Sequence, residues 1–194
     1  GGEHEARASK HGNPLGQGRK VGPRSSPPLG RRVVAETNLA CGRCRWCAEG
    51  LGRHCPRRTV MGIRGHAGAH AGFLTLPEGN LHVVPDSLKD EEAVFTEPLA
   101  AACEVLEQVE VSSRTRAAVL GAGKLGTLVA QVLANAGAGV TLLGRGDDAP
   151  PGFDLVVEAT GSPRGMSRAL ALVRPRGVIV WKTTHHGPAR FDAA

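Results

Sequence analysis

Residues 116–145, RAAVLGAGKLGTLVAQVLANAGAGVTLLGR, leave few folds open to the chain. Ala117 to Leu120 is a short apolar run of the kind that fills a parallel strand buried on both faces, and Gly121-Ala122-Gly123-Lys124-Leu125-Gly126 follows it directly. Leu125, Leu128, Val129, Val132 and Leu133 then share one helical face, Gly137 and Gly139 break the segment, and Val140 to Leu143 form a second apolar run. The order is strand, glycine turn, helix, strand. Residues 153–184 continue it: Asp154 to Glu158 reads as a strand, Ser162-Pro163 as a helix start, Met166 to Val173 as a short amphipathic helix and Gly177 to Trp181 as another strand. This alternation predicts a doubly wound α/β sheet in the carboxy-terminal half.

In that setting the G-x-G-x-x-G spacing reads as a dinucleotide fingerprint. Gly121 permits the tight turn, Gly123 lets the backbone approach a pyrophosphate, and Gly126 allows close packing of helix on strand. Lys124 and Leu125 open the helix whose amino end faces the phosphates. A plain strand-to-helix turn uses the same glycines without a ligand and is the competing reading. Thr160 and Gly161 lie at the carboxyl end of a predicted strand, where such sheets bind ligands, and join the candidates for cofactor binding. NAD sites place Asp or Glu at the end of the second strand, to accept from the ribose 2′-hydroxyl. Here Gly144 and Arg145 stand there, leaving room for a 2′-phosphate and a cationic fork to bind it, so NADP(H) is favoured over NAD(H). Asp147 and Asp148 follow closely enough that a shifted loop would restore the NAD arrangement.

The second constraint is CGRCRWCAEGLGRHC, residues 41–55, with Cys41, Cys44, Cys47 and Cys55 in the spacing C-x2-C-x2-C-x7-C. A disulfide knot, a redox pair and a metal site compete. The chain opens Gly-Gly-Glu-His, with no secretory signal visible, and has no apolar run long enough to cross a bilayer; a cytoplasmic protein with reduced thiols is expected. A redox pair needs only one C-x-x-C and leaves two thiols unexplained. Four thiolates satisfy tetrahedral Zn2+ and leave no open position, so the site reads as structural zinc, with reduced bystander thiols and an iron-sulfur cluster as the lesser alternatives.

Residues 1–64 carry thirteen Lys and Arg against four Asp and Glu, whereas residues 65–194 carry eleven against fourteen. Such a basic block suggests a nucleic-acid surface. However, the chain has no Tyr and only 3% aromatic residues, so it has little on which to stack bases. Arg43, Arg45, Arg53, Arg57 and Arg58 stand instead where they would offset a doubly negative tetrathiolate zinc.

Taken in order, GRRVVAE, the four cysteines, GFLTLPEGNLHVVPDS, EEAVFTEPLAAA, VLGAGKLG, DLVVEATGSP and RPRGVIV make the chain similar to the medium-chain dehydrogenase/reductase superfamily, in its zinc-containing alcohol and polyol dehydrogenase branch. The resemblance covers roughly residues 30–184. It implies a partial GroES-like β domain with a structural zinc lobe at 30–112 and a partial Rossmann domain at 113–194, with 1–29 a poorly ordered or degenerate segment rich in Gly, Pro, Ser and Arg. It also implies a chain truncated relative to its relatives, lacking upstream catalytic residues. By the same resemblance Cys41, Cys44, Cys47 and Cys55 bind the structural zinc. Glu97 matches an acidic position beside a second, catalytic zinc, and His4 and Glu5 match the remnant of a Gly-His-Glu motif, with surface residues near a frayed terminus as the competing reading of that pair. Glu97 reads equally well as a helix-start carboxylate ahead of Pro98, favoured by the helix dipole, and Cys103 as a small buried core residue.

The implied activity is hydride transfer between NAD(P) and a small-molecule alcohol or carbonyl, with a homo-oligomer typical of the family. The alternative is a non-catalytic fragment that binds zinc and nucleotide, and a nucleic-acid zinc module ranks third. One gap is visible within the Rossmann half. Between Arg145 and Phe153 the segment GDDAPPG is too short for a helix and a strand, so an incomplete sheet with an uncovered edge is expected.

Overall fold

The computed structural model describes the backbone of residues 3–8 and 16–19, and residues 30–183 in full. The chain divides into two compact units, residues 1–97 and 98–194.

In the first unit, β1 (Glu3–Ala8), β2 (Gly16–Arg19) and β3 (Arg32–Ala35) lead into β4 (Asn38–Leu39) and α1 (Arg45–Ala48), followed by β5 (Thr59–Met61), β6 (Gly65–His66), β7 (Leu74–Pro77), β8 (Leu81–Val83) and α2 (Asp90–Ala93). Five strands form an antiparallel sheet in the order β7-β1-β2-β3-β8, and β4-β5-β6 form a smaller mixed sheet in which β4 and β5 are antiparallel and β5 and β6 parallel. In β7, Leu74 and Leu76 are buried while Thr75 and Pro77 are exposed, the period of two expected where one face of a sheet packs. Ala35, Leu39, Met61, Leu74 and Leu76 share one cluster, and Val34, Val84 and Ala93 another.

Within 1–29, the segment read as poorly ordered or degenerate, the described backbone forms strands at 3–8 and 16–19. Glu5 pairs with Arg19 on one side and Thr75 on the other. Backbone N–H and C=O groups make the ladder, so a polar, glycine-rich sequence joins a sheet once neighbouring strands offer partners. The remainder of 1–29, and 184–194, lie outside the described residues.

The second unit contains most of α3 (Thr96–Gln108), then β9 (Arg116–Leu120), α4 (Lys124–Asn135), β10 (Gly139–Leu143), β11 (Phe153–Glu158), α5 (Gly165–Leu172) and β12 (Val173–Trp181). Its four strands are all parallel, in the order β10-β9-β11-β12. Ala117 and Val119 of β9 pack with Ala102, Val105, Val129 and Leu133 from α3 and α4, whereas Ala118 and Leu120 pack with Ala169 and Leu172 of α5. Helices therefore cover both faces, and each fully buried Val or Leu contributes about 1.5–3 kcal/mol. Ala102 and Val105 thus pack into the core of the unit that begins at residue 98.

The strand order reverses direction between β9 and β11, because β10 returns on one side of β9 and β12 on the outer side of β11. That reversal opens a crevice at the carboxyl ends of the two central strands. Beyond β10 no further strand pairs among the described residues, and Gly139, Thr141 and Leu142 are exposed along it. The expected uncovered edge is present. β12 begins at Val173 and bulges over Arg174 to Gly177, with Arg176 at φ 63°, so the regular pairing resumes at Val178, close to the expected start.

Candidate metal centre and nucleotide cradle

Residues 40–60 contain a single buried side chain, that of Cys55. Gly42 at φ 69° and Gly50 at φ 77° turn the chain sharply, and α1 is one turn long, so the four cysteines converge from loop and turn. Cys44 Sγ lies 3.4 Å from Cys47 Sγ and 3.6 Å from Cys55 Sγ, and Cys41 Sγ lies 3.9 Å from Cys47 Sγ. All four sulfurs fall within 4.8 Å of one another. A disulfide needs about 2.05 Å, so none is formed. Tetrahedral zinc at about 2.3 Å from each sulfur requires sulfurs about 3.8 Å apart, which these spacings fit.

The electrostatics suit thiolates. The Cys41 thiol is lowered to about 6, first by the Arg43 backbone N–H donated to it and then by the neighbouring thiols, while burial works the other way. The negative charge on Cys41 in turn raises the Arg57 guanidinium. Of the five arginines expected to offset the cluster, Arg57 acts through its side chain and Arg43 through its backbone. Arg45 instead pairs with Glu49 at 2.6 Å, and Arg58 donates to Asn38 Oδ1 and the Cys55 carbonyl.

Metal affinity should follow this titration. A thiol lowered in the folded state keeps its anion down to the folded value, so binding is expected to hold at neutral pH and to fall as pH drops through about 6. Zinc release against a fluorescent chelator between pH 8 and pH 5 measures it; occupancy independent of pH would contradict the thiolate site.

In the second unit the glycines of the fingerprint each have a separate steric reason. Gly121, at φ 104°, abuts the end of β11: a Cβ there would lie 2.7 Å from the Ala159 carbonyl oxygen and 3.1 Å from Thr160 Cα. At Gly126 a Cβ would overlap the Gly121 carbonyl oxygen. At Gly123 it would meet nothing within 4 Å. Gly123 caps α4 with no side-chain hydrogen bond to the helix, so the first N–H groups of the helix, from Lys124 and Leu125 onward, have no side-chain partner there. The structure thus brings Gly121, Gly123 and Gly126 together with Thr160 and Gly161 at the crevice.

The Thr160 turn is held by a residue that sequence reasoning passed over. Glu158 ends the apolar run of β11 and is fully buried. Its Oε1 accepts from the Thr160 N–H at 2.8 Å and from the Thr160 hydroxyl, which in turn accepts from the Ser162 N–H. Gly161 N–H donates to Thr183 Oγ1 at 2.9 Å. A Cβ at Gly165 would overlap the Glu158 carboxylate, so α5 starts on a glycine. Glu158 Oε2 has no hydrogen-bond partner. An acid closing the apolar run 155–157 was the available signal, because a carboxylate at such a depth must be bonded.

At the tip of β10, Gly144 and Arg145 stand as expected, with Arg145 exposed. Glu97 lies exposed in the first turn of α3, as its helix-start reading requires. No second group of three or more metal-ligating residues gathers among the described residues. His4 and Glu5 have a described backbone, pairing with Leu76 and Thr75, and their side chains lie outside the described ones. Cys103 is exposed on α3, not buried as expected, because the buried stripe of that helix runs through Ala102 and Val105.

Residues 14–86 match the alcohol dehydrogenase GroES-like domain. The L-threonine 3-dehydrogenase of Xanthomonas euvesicatoria pv. vesicatoria (strain 85-10) is 32% identical over 110 residues, which are 57% of this chain and 32% of that protein. The chain therefore spans about a third of the length of the curated relatives it matches. Among solved structures it is similar to the alcohol dehydrogenase TADH from Thermus sp. ATN1, with a TM-score of 0.86 at 24% identity, covering 100% of this chain and 73% of that one. Galactitol-1-phosphate dehydrogenase from Escherichia coli gives 0.83 at 18%, covering 98% and 70%. At these identities the structures show a shared fold. One unit thus carries the match to an alcohol dehydrogenase GroES-like domain, and the other holds a doubly wound parallel sheet.

Proposed function

We propose that the chain binds a pyridine dinucleotide at the carboxyl ends of β9 and β11 and serves in a zinc-dependent alcohol or polyol dehydrogenase-like reaction, moving hydride between that cofactor and a small-molecule alcohol or its carbonyl. The observation that carries this reading is the division of labour among the glycines. Gly121 and Gly126 are glycine because backbone leaves no room for a side chain, and Gly123 is glycine although nothing among the described residues would lie within 4 Å of a Cβ there. Packing accounts for the first two, and a ligand drawn close to the backbone accounts for the third. The uncapped start of α4 turns N–H groups and the positive end of the helix dipole toward the same space, favouring a pyrophosphate.

The chain's own residues supply binding and orientation. Thr160 and Gly161 form the opposite wall of the crevice, braced by Glu158. The exposed Arg145 guanidinium at the tip of β10 favours a 2′-phosphate, so NADP(H) is preferred. Cys41, Cys44, Cys47 and Cys55 would hold a structural zinc whose coordination shell is closed by protein. A second, catalytic zinc would draw on Glu97 with His4 and Glu5, and when bound such an ion polarises the substrate oxygen while the nicotinamide carries the hydride.

Titration of the zinc-loaded chain with NADPH and NADH, followed by nicotinamide fluorescence, tests the reading. NADPH should bind more tightly, and Arg145→Ala should weaken NADPH by about tenfold while changing NADH little, as expected for loss of one charge-assisted phosphate contact worth about 1.5 kcal/mol. Affinity for neither nucleotide would remove the proposal.

A further inference from the structure

Arg58 stands among the arginines that the sequence assigns to charge compensation, but its guanidinium meets two neutral oxygens. Nη1 donates to the Cys55 carbonyl at 3.2 Å, and the Arg58 N–H donates to the same carbonyl at 3.1 Å. Nε donates to Asn38 Oδ1 at 3.1 Å, and the Asn38 carbonyl in turn accepts from Asn80 Nδ2 at 2.8 Å. Asn38 belongs to β4, and Asn80 ends the short turn Glu78–Asn80 between β7 and β8. The Asn80 carbonyl accepts the Glu36 N–H at 2.9 Å, one residue beyond β3. Hydrogen bonds therefore run residue to residue from the five-stranded sheet, through the half-buried Arg58, to the cysteine whose thiol is the buried one of the four.

Resting on the tetrathiolate zinc site proposed above, we infer that Arg58 is a positioning residue for that metal, fixing the main chain of Cys55 against the sheet so that the fourth sulfur stands in place for the ion. Cys41, Cys44 and Cys47 lie within seven residues on one loop and a one-turn helix, so local backbone geometry holds them together. Cys55 comes eight residues after Cys47, with Gly50 and Gly52 between, and has no local restraint of that kind. Arg58 and Asn38 supply it from outside the loop. Groups that orient a metal ligand without touching the ion change affinity by about 10- to 100-fold. These bonds form where residues 40–60 are ordered, so they strengthen zinc binding rather than the zinc-free chain.

Zinc dissociation constants of the full chain, measured at fixed pH by competition with a fluorescent chelator, test this for wild type, Arg58→Ala, Arg58→Lys and Arg45→Ala. Arg58→Ala should weaken zinc by about 10- to 100-fold. Arg58→Lys, which keeps the charge but loses the fork that reaches both oxygens, should fall between Arg58→Ala and wild type, and it carries the test where Arg58→Ala fails to fold. Arg45 is engaged with Glu49 at 2.6 Å, so Arg45→Ala removes the same charge from the lobe and should leave the constant unchanged. Melting temperatures without zinc should coincide for wild type and Arg58→Ala, and diverge with zinc bound. A residue that merely braces the fold predicts the same fall in melting temperature with and without zinc, at an unchanged dissociation constant. A residue that only offsets charge predicts that Arg45→Ala weakens zinc as much as Arg58→Ala, and that Arg58→Lys has no effect. Either pattern overturns the inference while leaving the zinc site intact. If wild type binds no zinc, the site itself fails and the inference with it.

Discussion

A strong chelator is expected to remove zinc from the lobe and to lower the melting temperature by about 10–20 °C, a loss on the order of 5 kcal/mol for a chain of this size. The size of the effect follows from what else holds residues 40–60 together. Cys55 is the one buried side chain there, α1 is a single turn, and Trp46 and Leu51 are exposed. Such a segment buries too little apolar surface to offset the entropy of ordering about twenty residues, so the metal bonds must supply the difference. Cys55→Ser should reproduce the loss, because it removes the buried ligand and leaves three thiolates crowded without a closed shell. Cys103→Ser, on an exposed helical position, should leave melting and zinc content unchanged. Metal analysis of the purified chain provides the second reading: one zinc per chain for the cysteine site alone, two if Glu97 takes part in another. A chain that purifies without metal and melts identically with and without chelator would contradict the site.

The glycine turn should separate under mutation into a folding residue and a binding residue. Gly126→Ala places a Cβ against the Gly121 carbonyl, and since the obstacle is backbone, β9 and α4 must move apart. A cost of about 3 kcal/mol or more is expected, with nucleotide binding lost as a consequence of disturbed packing. Gly123→Asp should do the opposite. Position 123 caps α4 in extended backbone, at φ −87° and ψ −173°, and a Cβ there meets nothing, so Asp is sterically accepted and favourable as a cap. Stability should hold or rise by about 0.5 kcal/mol, while a negative charge placed in the proposed pyrophosphate space should weaken dinucleotide binding by about a hundredfold. Thermal melts and fluorescence titration of both variants measure the split. Undiminished affinity in Gly123→Asp would mean that the open space beside that glycine serves some other purpose.

Both sets of residues were legible in the sequence because each depends on local spacing. The run of β9, its six-residue turn and the stripe of α4 lie within twenty residues, and local backbone preferences alone join them in that order. The cysteine spacing has the same character. The amino-terminal strands were not legible, since β1 has no apolar alternation of its own and exists by pairing with β7, some seventy residues away. Glu158 was likewise hidden in its role. It closes the apolar run 155–157 of a strand whose other acid, Asp154, is only half-buried.

By itself the sequence determined the kind of sheet, the turn that opens it and the four thiols of the lobe, because side-chain periodicity and ligand spacing are properties of short stretches. Tertiary structure alone decided which strands lie side by side, where the order reverses to open a crevice, and which carboxylate braces the Thr160 turn. Those outcomes depend on hydrogen bonds and packing between segments far apart in the chain, whose pairing free energy no local pattern encodes.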